Sequence, residues 1–432
     1  MNNFSRRKFL QTSLMGAAGL SMFPLMKGCG PVAPSDQIRL GVLGLGRQAL
    51  SLTSGFYQNA GAKVVAGADV YGRKRERYDM LVRNHQEEAG QSVEMSTTAD
   101  YRELIERDDI DVIVIATPDH WHAIQAIEAC NAGKDVYLEK PVTYSIREGI
   151  EVVKAVREND TVLGVGSQQR SDPNFQHVVQ LIQENRLGDL TKVNAWSGAP
   201  AIPYNLPEEE VPHDLDWDAW LGPIPYVHYN PELNPPISLD PVENEQFWGG
   251  WRWYRPTGGG FATDWGAHMF DIAQWALGKQ YSGPVEVIPA GHSGTEYIDF
   301  VYDDGLVMAN APFTEDRNFG VRFESDSAWV EVHRGQFRAS DDSLLPPVAG
   351  EDDEEYETAS PHLVDFLASV RSRQDPISDI ESGHRTNTVG ILANIASELD
   401  RPLKWNPEAE EFVDDAEANT HLHREYREGY SL

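Results

Sequence analysis

The sequence predicts an α/β protein of two domains, in which a parallel sheet flanked by helices is followed by an α+β domain with a large, mainly antiparallel open sheet. Short apolar strands alternate with helical segments from about residue 38 to residue 165, the pattern of a doubly wound parallel sheet. Strand-like segments recur beyond residue 299, which indicates a second sheet. The 432 residues, of which 41% are hydrophobic, are enough for two cores.

The composition excludes some classes of partner. The chain has 68 Asp and Glu against 36 Lys and Arg residues, with a formal net charge of −32. Nucleic acid and an anionic membrane surface are therefore not expected partners. Only two cysteines occur, Cys29 and Cys130, and Cys29 lies in a predicted leader. We expect no internal disulfide in the mature chain.

Residues 1–34 have the organisation of a twin-arginine signal peptide. The paired Arg6 and Arg7 precede an apolar stretch at 14–26, which is too short for a stable membrane span. We expect export in the folded state, to the periplasm or another location outside the cytoplasm. A lipid anchor at Cys29 and cleavage after Ala33 stay open as alternatives.

The first strand candidate, Ile38–Leu43, leads into a glycine-rich loop and a helix at 49–56. The loop residues are Gly44, Leu45, Gly46 and Arg47, and the motif is G-x-G-x-x-A. The first glycine permits the tight turn, the second lets a pyrophosphate approach the backbone, and the helix amino end supplies N–H donors. Residues 37–165 are therefore predicted to be a dinucleotide-binding Rossmann domain, with these four residues at the cofactor.

The choice of nucleotide depends on the residues after the second strand, Ala62–Ala68. Asp69 lies 23 residues after Gly46, about the distance expected for an acid that accepts a hydrogen bond from the ribose 2′-hydroxyl. This favours NAD, because a carboxylate repels a 2′-phosphate. The basic residues at 73–75 could accommodate that phosphate, so NADP stays an alternative.

Two later segments place polar residues at strand ends. Residues 111–122 are predicted as a buried strand that stops at Pro118, with a helix at 123–132, and residues 135–141 as a shorter strand. Ligands bind beyond the carboxyl ends of parallel strands. We therefore expect cofactor contacts from Thr117, Pro118, His120, His122, Glu139 and Lys140. Paired histidines can bind a metal, but no acid or cysteine cluster with suitable spacing accompanies them, and no metal site is predicted.

Residues 166–405 are predicted to form the α+β domain, with a C-terminal extension at 406–432. A long irregular stretch at 199–253 is rich in proline and aromatic residues, and a loop of this size is usually functional or wraps a neighbour. Near its end, Arg252 and Tyr254 are candidates for binding hydroxyl or carboxylate groups. Aromatic packing at a domain or subunit interface explains such residues equally well.

A helix is predicted at 264–277, after the triple glycine at 258–260. Asp264, His268 and Asp271 fall along one face of it, and the glycines allow another group to approach closely. Histidine titrates near neutrality, so His268 is a natural general base. Asp264 would orient His268 or hold a neighbouring hydroxyl. Two further helices are predicted at 361–371 and 382–399.

Four motifs, in order, are ATPDHWH at 116–122, EKP at 139–141, GSQQR at 166–170 and GGGFATDWGAH at 258–268. Together they resemble the glucose-fructose oxidoreductase, inositol dehydrogenase and MocA-like family, Gfo/Idh/MocA, over about residues 38–427. The exported, twin-arginine branch is the most similar part of that family.

The resemblance assigns roles to residues of this chain. It implies that Lys140 lies between nicotinamide and substrate, and that Asp264 and His268 face a sugar from the second domain. It places Gln168 and Arg170 near the nicotinamide. It also implies a homo-oligomer, a dimer or a tetramer, with the contact carried by the second sheet.

The sequence thus predicts an NAD(P)-dependent oxidoreductase that transfers a hydride between a nicotinamide cofactor and a hydroxyl or ketone of a sugar, sugar acid or cyclitol. Lys140, Asp264 and His268 are the predicted catalytic residues and, with Arg252 and Tyr254, bind the substrate. The cofactor is expected to be tightly held, because an exported enzyme meets little free NAD. The alternatives are an NAD-dependent glycoside hydrolase that uses transient sugar oxidation and elimination, and a non-catalytic nucleotide-binding scaffold.

Overall fold

The computed structural model describes residues 36–432, apart from Ala60, Pro241, Asn244, Gln246 and residues 348–359. The predicted signal peptide, with Cys29, lies outside the described residues. Within the described part, no helix combines the length and apolar character needed to cross a bilayer.

The first sheet is the predicted parallel one. Its strands are β1 (Ile38–Leu43), β2 (Ala62–Ala68), β3 (Ser96–Thr98), β4 (Val112–Ile115), β5 (Asp135–Leu138) and β6 (Leu163–Val165). They run in the order β3-β2-β1-β4-β5-β6, and every neighbouring pair is parallel. Strands β2, β4 and β5 are buried along their whole length, because helices cover both faces of such a sheet. This order is that of a Rossmann fold.

The connecting helices are α1 (Arg47–Tyr57), α2 (Gly72–Glu88), α3 (Arg102–Ile105), α4 (Asp119–Asn131) and α5 (Ile146–Glu158). The helix after β4 begins earlier than predicted: strand β4 ends at Ile115, and α4 already begins at Asp119. Pro118 is the residue before the helix and is extended, with φ −63° and ψ 151°. A proline is well suited to this place because the first turn of a helix needs no N–H bond from it. His120 and His122 therefore belong to a helix and not to a strand end.

The second sheet has nine strands and is mainly antiparallel, as predicted. Its strands are β7 (Leu190–Trp196), β10 (Glu286–Ile288), β11 (Ile298–Val301), β12 (Val307–Asn310), β13 (Gly320–Ser325), β14 (Trp329–His333), β15 (Gln336–Ala339), β16 (Leu403–Asn406) and β17 (Glu411–Phe412). Only the β7–β12 pair is parallel among these described strands. A separate two-stranded ribbon is formed by β8 (Ser238–Leu239) and β9 (Val242–Glu243).

The second half contains α6 (Pro173–Gln183), α7 (Trp217–Leu221), α8 (Gly260–Asp264), α9 (Gly266–Ala276), α10 (Pro361–Ser372), α11 (Ile380–Leu399) and α12 (Ala416–Asn419). Helices α9 and α11 pack together over one face of the nine-stranded sheet and share its apolar core. The helix predicted at 264–277 is two helices that meet at Trp265. Helix α10 instead joins the core of the parallel sheet, where Leu363 and Phe366 pack with Val64 and Tyr137.

A buried ion pair joins the two halves. Arg170 lies in a short 3₁₀ turn, Gln168–Ser171, directly after the last parallel strand. Its guanidinium donates to both carboxylate oxygens of Asp271 on α9, at 2.8 and 2.7 Å. Asp271 also accepts from the Thr386 hydroxyl on α11. The turn, α9 and α11 are thereby held in one arrangement.

We expect Asp271→Asn to lower the free energy of unfolding by about 3–5 kcal/mol, because it leaves the buried Arg170 charge without its partner. The matched control is Asp375→Asn, which removes a surface pair with Arg157 whose side chains are 50% and 46% exposed; a loss below about 1 kcal/mol is expected there. Denaturant midpoints followed by tryptophan fluorescence measure both. Equal shifts in the two variants would contradict the structural role given to Arg170.

Candidate active site

A continuous groove runs along the carboxyl ends of the parallel strands. One part, the loop half, is lined by the glycine-rich loop, Asp69, Thr117 and Pro118. The other, the lysine half, is lined by Lys140, Asp264 and His268, among others. Thr117 and Arg252 line both halves, so the two parts lie next to each other.

The loop half fits a pyrophosphate. Gly44 has a φ of +79°, and a Cβ there would lie 2.7 Å from the Ala116 carbonyl oxygen, so only glycine makes this turn. A Cβ on Gly46 would meet no protein atom closer than 3.6 Å and would instead occupy the groove. Helix α1 begins at Arg47 without a side-chain cap or an acidic residue in its first turn. Its free N–H groups and positive end suit an anion.

Asp69 shapes the loop and lines the same half of the groove. Its carboxylate accepts from the backbone N–H of Leu45 and of Tyr71, both at 2.8 Å. The Leu45 side chain is fully buried, and its backbone N–H holds the Asp69 carboxylate. Oxygen lone pairs of Asp69 remain for a ribose hydroxyl.

The basic residues after Asp69 are already engaged. Arg73 faces Asp214 at 3.7 Å, and Arg75 donates to the carbonyl oxygen of Asp69 at 2.5 Å. Lys74 lies 3.2 Å from Glu245. A 2′-phosphate would therefore meet carboxylates and cations that already have partners.

A segment of the C-terminal domain, which includes Asn234, Glu245 and Trp248, covers the loop half of the groove. Trp248 contacts the Arg47 guanidinium, 4.8 Å from its ring centre, and is itself 45% exposed. Glu245 pairs with Arg77 at 2.9 Å, and Asn234 accepts from Lys74 at 2.8 Å. No motif or periodicity in the sequence marks these covering residues.

Lys140 and Asp264 form the centre of the lysine half. The Lys140 ammonium lies 2.7 Å from Asp264 Oδ1 and 3.1 Å from its backbone oxygen. The Arg252 guanidinium lies 3.6 Å from the same carboxylate. Burial acts to raise the pKa of Asp264, but the two cations outweigh it and hold the pKa below its usual range. Asp264 is thus ionised, and it holds Lys140 in place without contacting His268.

His268 lies beside a guanidinium that the sequence did not point to. Arg334, in the turn between β14 and β15, has Nη2 3.1 Å from His268 Nε2. The side-chain amide of Gln169 lies 2.5 Å from His268 Nδ1. Burial, followed by the charges of Lys140 and Arg334, holds the pKa of His268 well below its usual value. The imidazole is therefore neutral at neutral pH.

Two buried carboxyl groups complete the lining. Glu139 accepts from Gln48 at 2.7 Å and from Gln168 at 3.2 Å, and burial raises its pKa. Burial also raises the pKa of Asp119, to about 8. Among the described residues, Oδ1 of Asp119 has no hydrogen-bond partner. The Asp119 carboxyl group is therefore largely protonated at neutral pH.

Four predicted site residues lie away from the groove: His120, His122, Arg170 and Tyr254. The ring nitrogens of His120 face the carbonyl oxygens of Trp220 and Thr257, and those of His122 face the carbonyl oxygens of Pro141 and Thr117. Arg170 is taken up by its ion pair with Asp271.

The Tyr254 hydroxyl donates to Glu232 at 2.7 Å, and its ring belongs to an aromatic cluster with Trp217, Trp220 and Trp251. Tyr254 thus packs against other aromatic residues, which was the alternative to ligand binding. No group of histidine, cysteine and acidic residues suited to a metal occurs in the part of the chain that is described.

The fold and the groove define a dinucleotide-binding oxidoreductase class, and comparison with known families specifies it. An oxidoreductase-family NAD-binding Rossmann fold matches residues 38–167, and an oxidoreductase-family C-terminal alpha/beta domain matches residues 187–432. The chain belongs to the Gfo/Idh/MocA oxidoreductase family, as its motifs predicted.

Curated relatives match over part of their length. The uncharacterized oxidoreductase YrbE of Bacillus subtilis is 32% identical over 281 residues, 65% of this chain and 61% of that protein. A glycosyl hydrolase family 109 protein of Shewanella baltica is 30% identical over 171 residues, 35% of this chain and 37% of that protein. The chain spans less than two thirds of the length of either relative.

Solved structures share the fold over most of the chain. A levoglucosan dehydrogenase in complex with NADH and levoglucosan has a TM-score of 0.58 at 16% identity, covering 85% of this chain and 99% of that one. An aldose-aldose oxidoreductase from Caulobacter crescentus has a TM-score of 0.57 at 18% identity, with the same two coverages. At these identities the likeness establishes the common architecture.

We expect Gly46→Ala to weaken NAD binding at least tenfold, about 1.4 kcal/mol, because the added methyl group would occupy the space of the pyrophosphate. Folding should be unaffected, since φ at this position is −80°. Gly283→Ala is the control, with its Cβ in ordinary contact with Pro407 at 3.7 Å. Fluorescence titration with NADH measures the affinity. Unchanged affinity in Gly46→Ala would place the pyrophosphate elsewhere.

Proposed function

We propose that this protein is an NAD-dependent dehydrogenase or reductase that acts on a CH–OH group of a sugar, sugar acid or cyclitol. The observation that carries the proposal is the groove itself, in which the loop half opens directly onto Lys140, Asp264 and a neutral His268. The printed names of similar structures, a levoglucosan dehydrogenase and an aldose-aldose oxidoreductase, support this class of substrate.

When bound, the nicotinamide supplies the acceptor for the hydride and its electron pair. The substrate hydroxyl must lose its proton as the carbon–hydrogen bond breaks and the carbonyl forms. His268 is neutral at neutral pH and can take up that proton. Lys140, fixed by Asp264, can donate a hydrogen bond to the substrate oxygen and stabilise its developing negative charge. In the reverse direction His268 returns the proton.

We expect Lys140→Met and His268→Asn each to lower kcat by about 10²–10⁴-fold, the range for losing a general acid–base or an electrostatic stabiliser. Lys154→Met is the control, because the Lys154 side chain is 57% exposed beside Glu151. Absorbance of the reduced nicotinamide measures turnover, and fluorescence titration measures retained NADH binding. Full activity in either variant, with cofactor bound, contradicts the assigned roles.

NAD is the proposed cofactor in preference to NADP. The cations at 73–75 already have partners, and Asp69 and Glu245 bring two carboxylates to the loop half. We also propose that the cofactor stays bound through purification, because the segment with Trp248 covers the loop half.

We expect denaturation of the purified protein to release NAD or NADH, identified by mass, in close to equimolar amount and without NADP. The fraction of protein without bound nucleotide should rise only slowly during dialysis against cofactor-free buffer. Trp248→Ala should release the nucleotide faster, because its ring lies against Arg47, whereas Trp329→Ala, on the second sheet, should not. Rapid loss from the parent protein, or release of NADP, contradicts this proposal.

An NAD-dependent glycoside hydrolase is the second candidate. The relatives named glycosyl hydrolase family 109 proteins favour it, over a limited part of their length. Aryl glycosides distinguish the two activities, since a hydrolase cleaves them without a net change in reduced nicotinamide. A sugar-dependent rise in reduced nicotinamide supports the dehydrogenase.

We further propose that residues 1–34 direct twin-arginine export and that the mature protein is a homo-oligomer. The order of the paired arginines, the apolar stretch and the small residues supports export. The extended second sheet supports assembly. Fractionation of cells that express the full chain, with an Arg6→Lys and Arg7→Lys variant, tests export, and light scattering tests the oligomer.

A further inference from the structure

We propose that the substrate is a sugar acid whose carboxylate binds Arg334, and that this contact frees Nε2 of His268 to act as the base. The inference rests on the proposed function and specifies its substrate class. Arg334 was not among the residues that the sequence pointed to.

Arg334 faces the lysine half beside an aromatic ring and an imidazole. Its guanidinium stacks 4.6 Å from the centre of the Trp265 ring and lies 3.1 Å from His268 Nε2. Among the described residues, no acid lies within ion-pair distance of it. Asp264, an ionised acid of the same part of the groove, is already shared by Lys140 and Arg252. A guanidinium so placed offers planar, paired donors to an incoming carboxylate.

The lysine half gathers three cations in a strongly acidic chain. Its charged lining consists of the cations Lys140, Arg252 and Arg334 and the acids Asp119, Glu139, Asp172 and Asp264. Burial favours the neutral form of Asp119 and Glu139, and Asp172 accepts the first N–H groups of α6. Three cations thus line this part of the groove, and Arg334 has no acid within ion-pair distance among the described residues. In a protein with a net charge of −32, such a cavity indicates an anionic ligand.

The polar groups of His268, Gln169 and Arg334 have more hydrogen-bond donors facing one another than acceptors. One end of the Gln169 amide faces His268 Nδ1, and the other lies 3.0 and 3.2 Å from Arg334 Nε and Nη2. If the amide oxygen faces Arg334, its nitrogen donates to Nδ1, the proton sits on Nε2, and Nε2 then meets an Arg334 donor. If the amide oxygen faces Nδ1, its nitrogen meets the Arg334 donors. Each arrangement leaves one contact between two donors.

A carboxylate resolves this mismatch, because it accepts hydrogen bonds and donates none. When the amide oxygen faces Nδ1, Nδ1 carries the proton and the lone pair of Nε2 faces Arg334. In that arrangement a substrate carboxylate that takes the Arg334 donors leaves the Nε2 lone pair free. The imidazole can then accept the hydroxyl proton. A neutral sugar supplies no such acceptor of matching charge and leaves His268 in contact with the guanidinium.

The test compares acids with their uncharged counterparts. D-Glucuronate and D-galacturonate are assayed with NAD beside glucose, galactose and the methyl esters of both acids. Binding of the same compounds to the NADH complex is measured by calorimetry. We expect kcat/KM and affinity for at least one acid to exceed those of its neutral partners by about 10- to 100-fold, the range for hydrogen bonds to a charged group.

Variants of the β14–β15 hairpin separate recognition from folding. In Arg334→Gln the ratio of acid to neutral kcat/KM should fall about 10- to 100-fold, and Arg334→Lys should restore part of it, since a lysine keeps the charge without the paired donors. Arg338→Gln is the control, because Arg338 pairs with Glu331 at 3.4 Å on the second sheet, away from the groove; its ratio should stay as in the parent protein.

The outcomes distinguish the two proposals. Equal turnover of acids and neutral sugars, or a ratio that Arg334→Gln leaves unchanged, overturns the carboxylate site while the dehydrogenase stands. Absence of turnover with any sugar, together with Arg334-dependent binding of the acids, supports the carboxylate site and overturns the dehydrogenase. Absence of both turnover and binding for the acids overturns the inference.

Discussion

The ion pair between Arg170 and Asp271 is the contact on which the geometry of the groove depends. It is almost completely buried, and an unpaired charge at either position would carry a large desolvation cost. Because Asp271 lies on α9, the pair sets that helix against the turn that follows β6. His268 is carried by the first turn of the same helix, and Gln169 by the turn. The position of His268 relative to the parallel sheet is therefore stabilised by a contact outside the groove.

A second contact, between Lys140 and Asp264, crosses the groove itself. Lys140 follows β5 of the parallel sheet, and Asp264 ends α8 of the second half. The ionised carboxylate gives the ammonium one position, which is what a donor to a developing alkoxide requires. The remaining cations, Arg252 and Arg334, line the same part of the groove.

The sequence by itself was enough for the fold and for the centre of the site. β1 and β2 were predicted at their observed bounds, because buried parallel strands are mostly apolar segments between clear turn signals. Gly44, Gly46 and Asp69 were found because a phosphate-binding turn requires particular residues at fixed spacing. Lys140, Asp264 and His268 were found through motifs that are contiguous in the chain. The sequence was sufficient to predict residues whose role depends on neighbours that are close to them in the chain.

Only the tertiary structure decided which polar residues reach the groove. His120, His122 and Tyr254 sit in or near the motifs, but backbone carbonyls and Glu232 use their polar atoms. Arg334 and Glu245 reach the groove from segments without any motif. Whether a side chain meets a ligand or a packing partner depends on contacts between residues far apart in the chain, and these arise from how the two sheets pack. Periodicity and spacing describe only the residues close to one another in sequence.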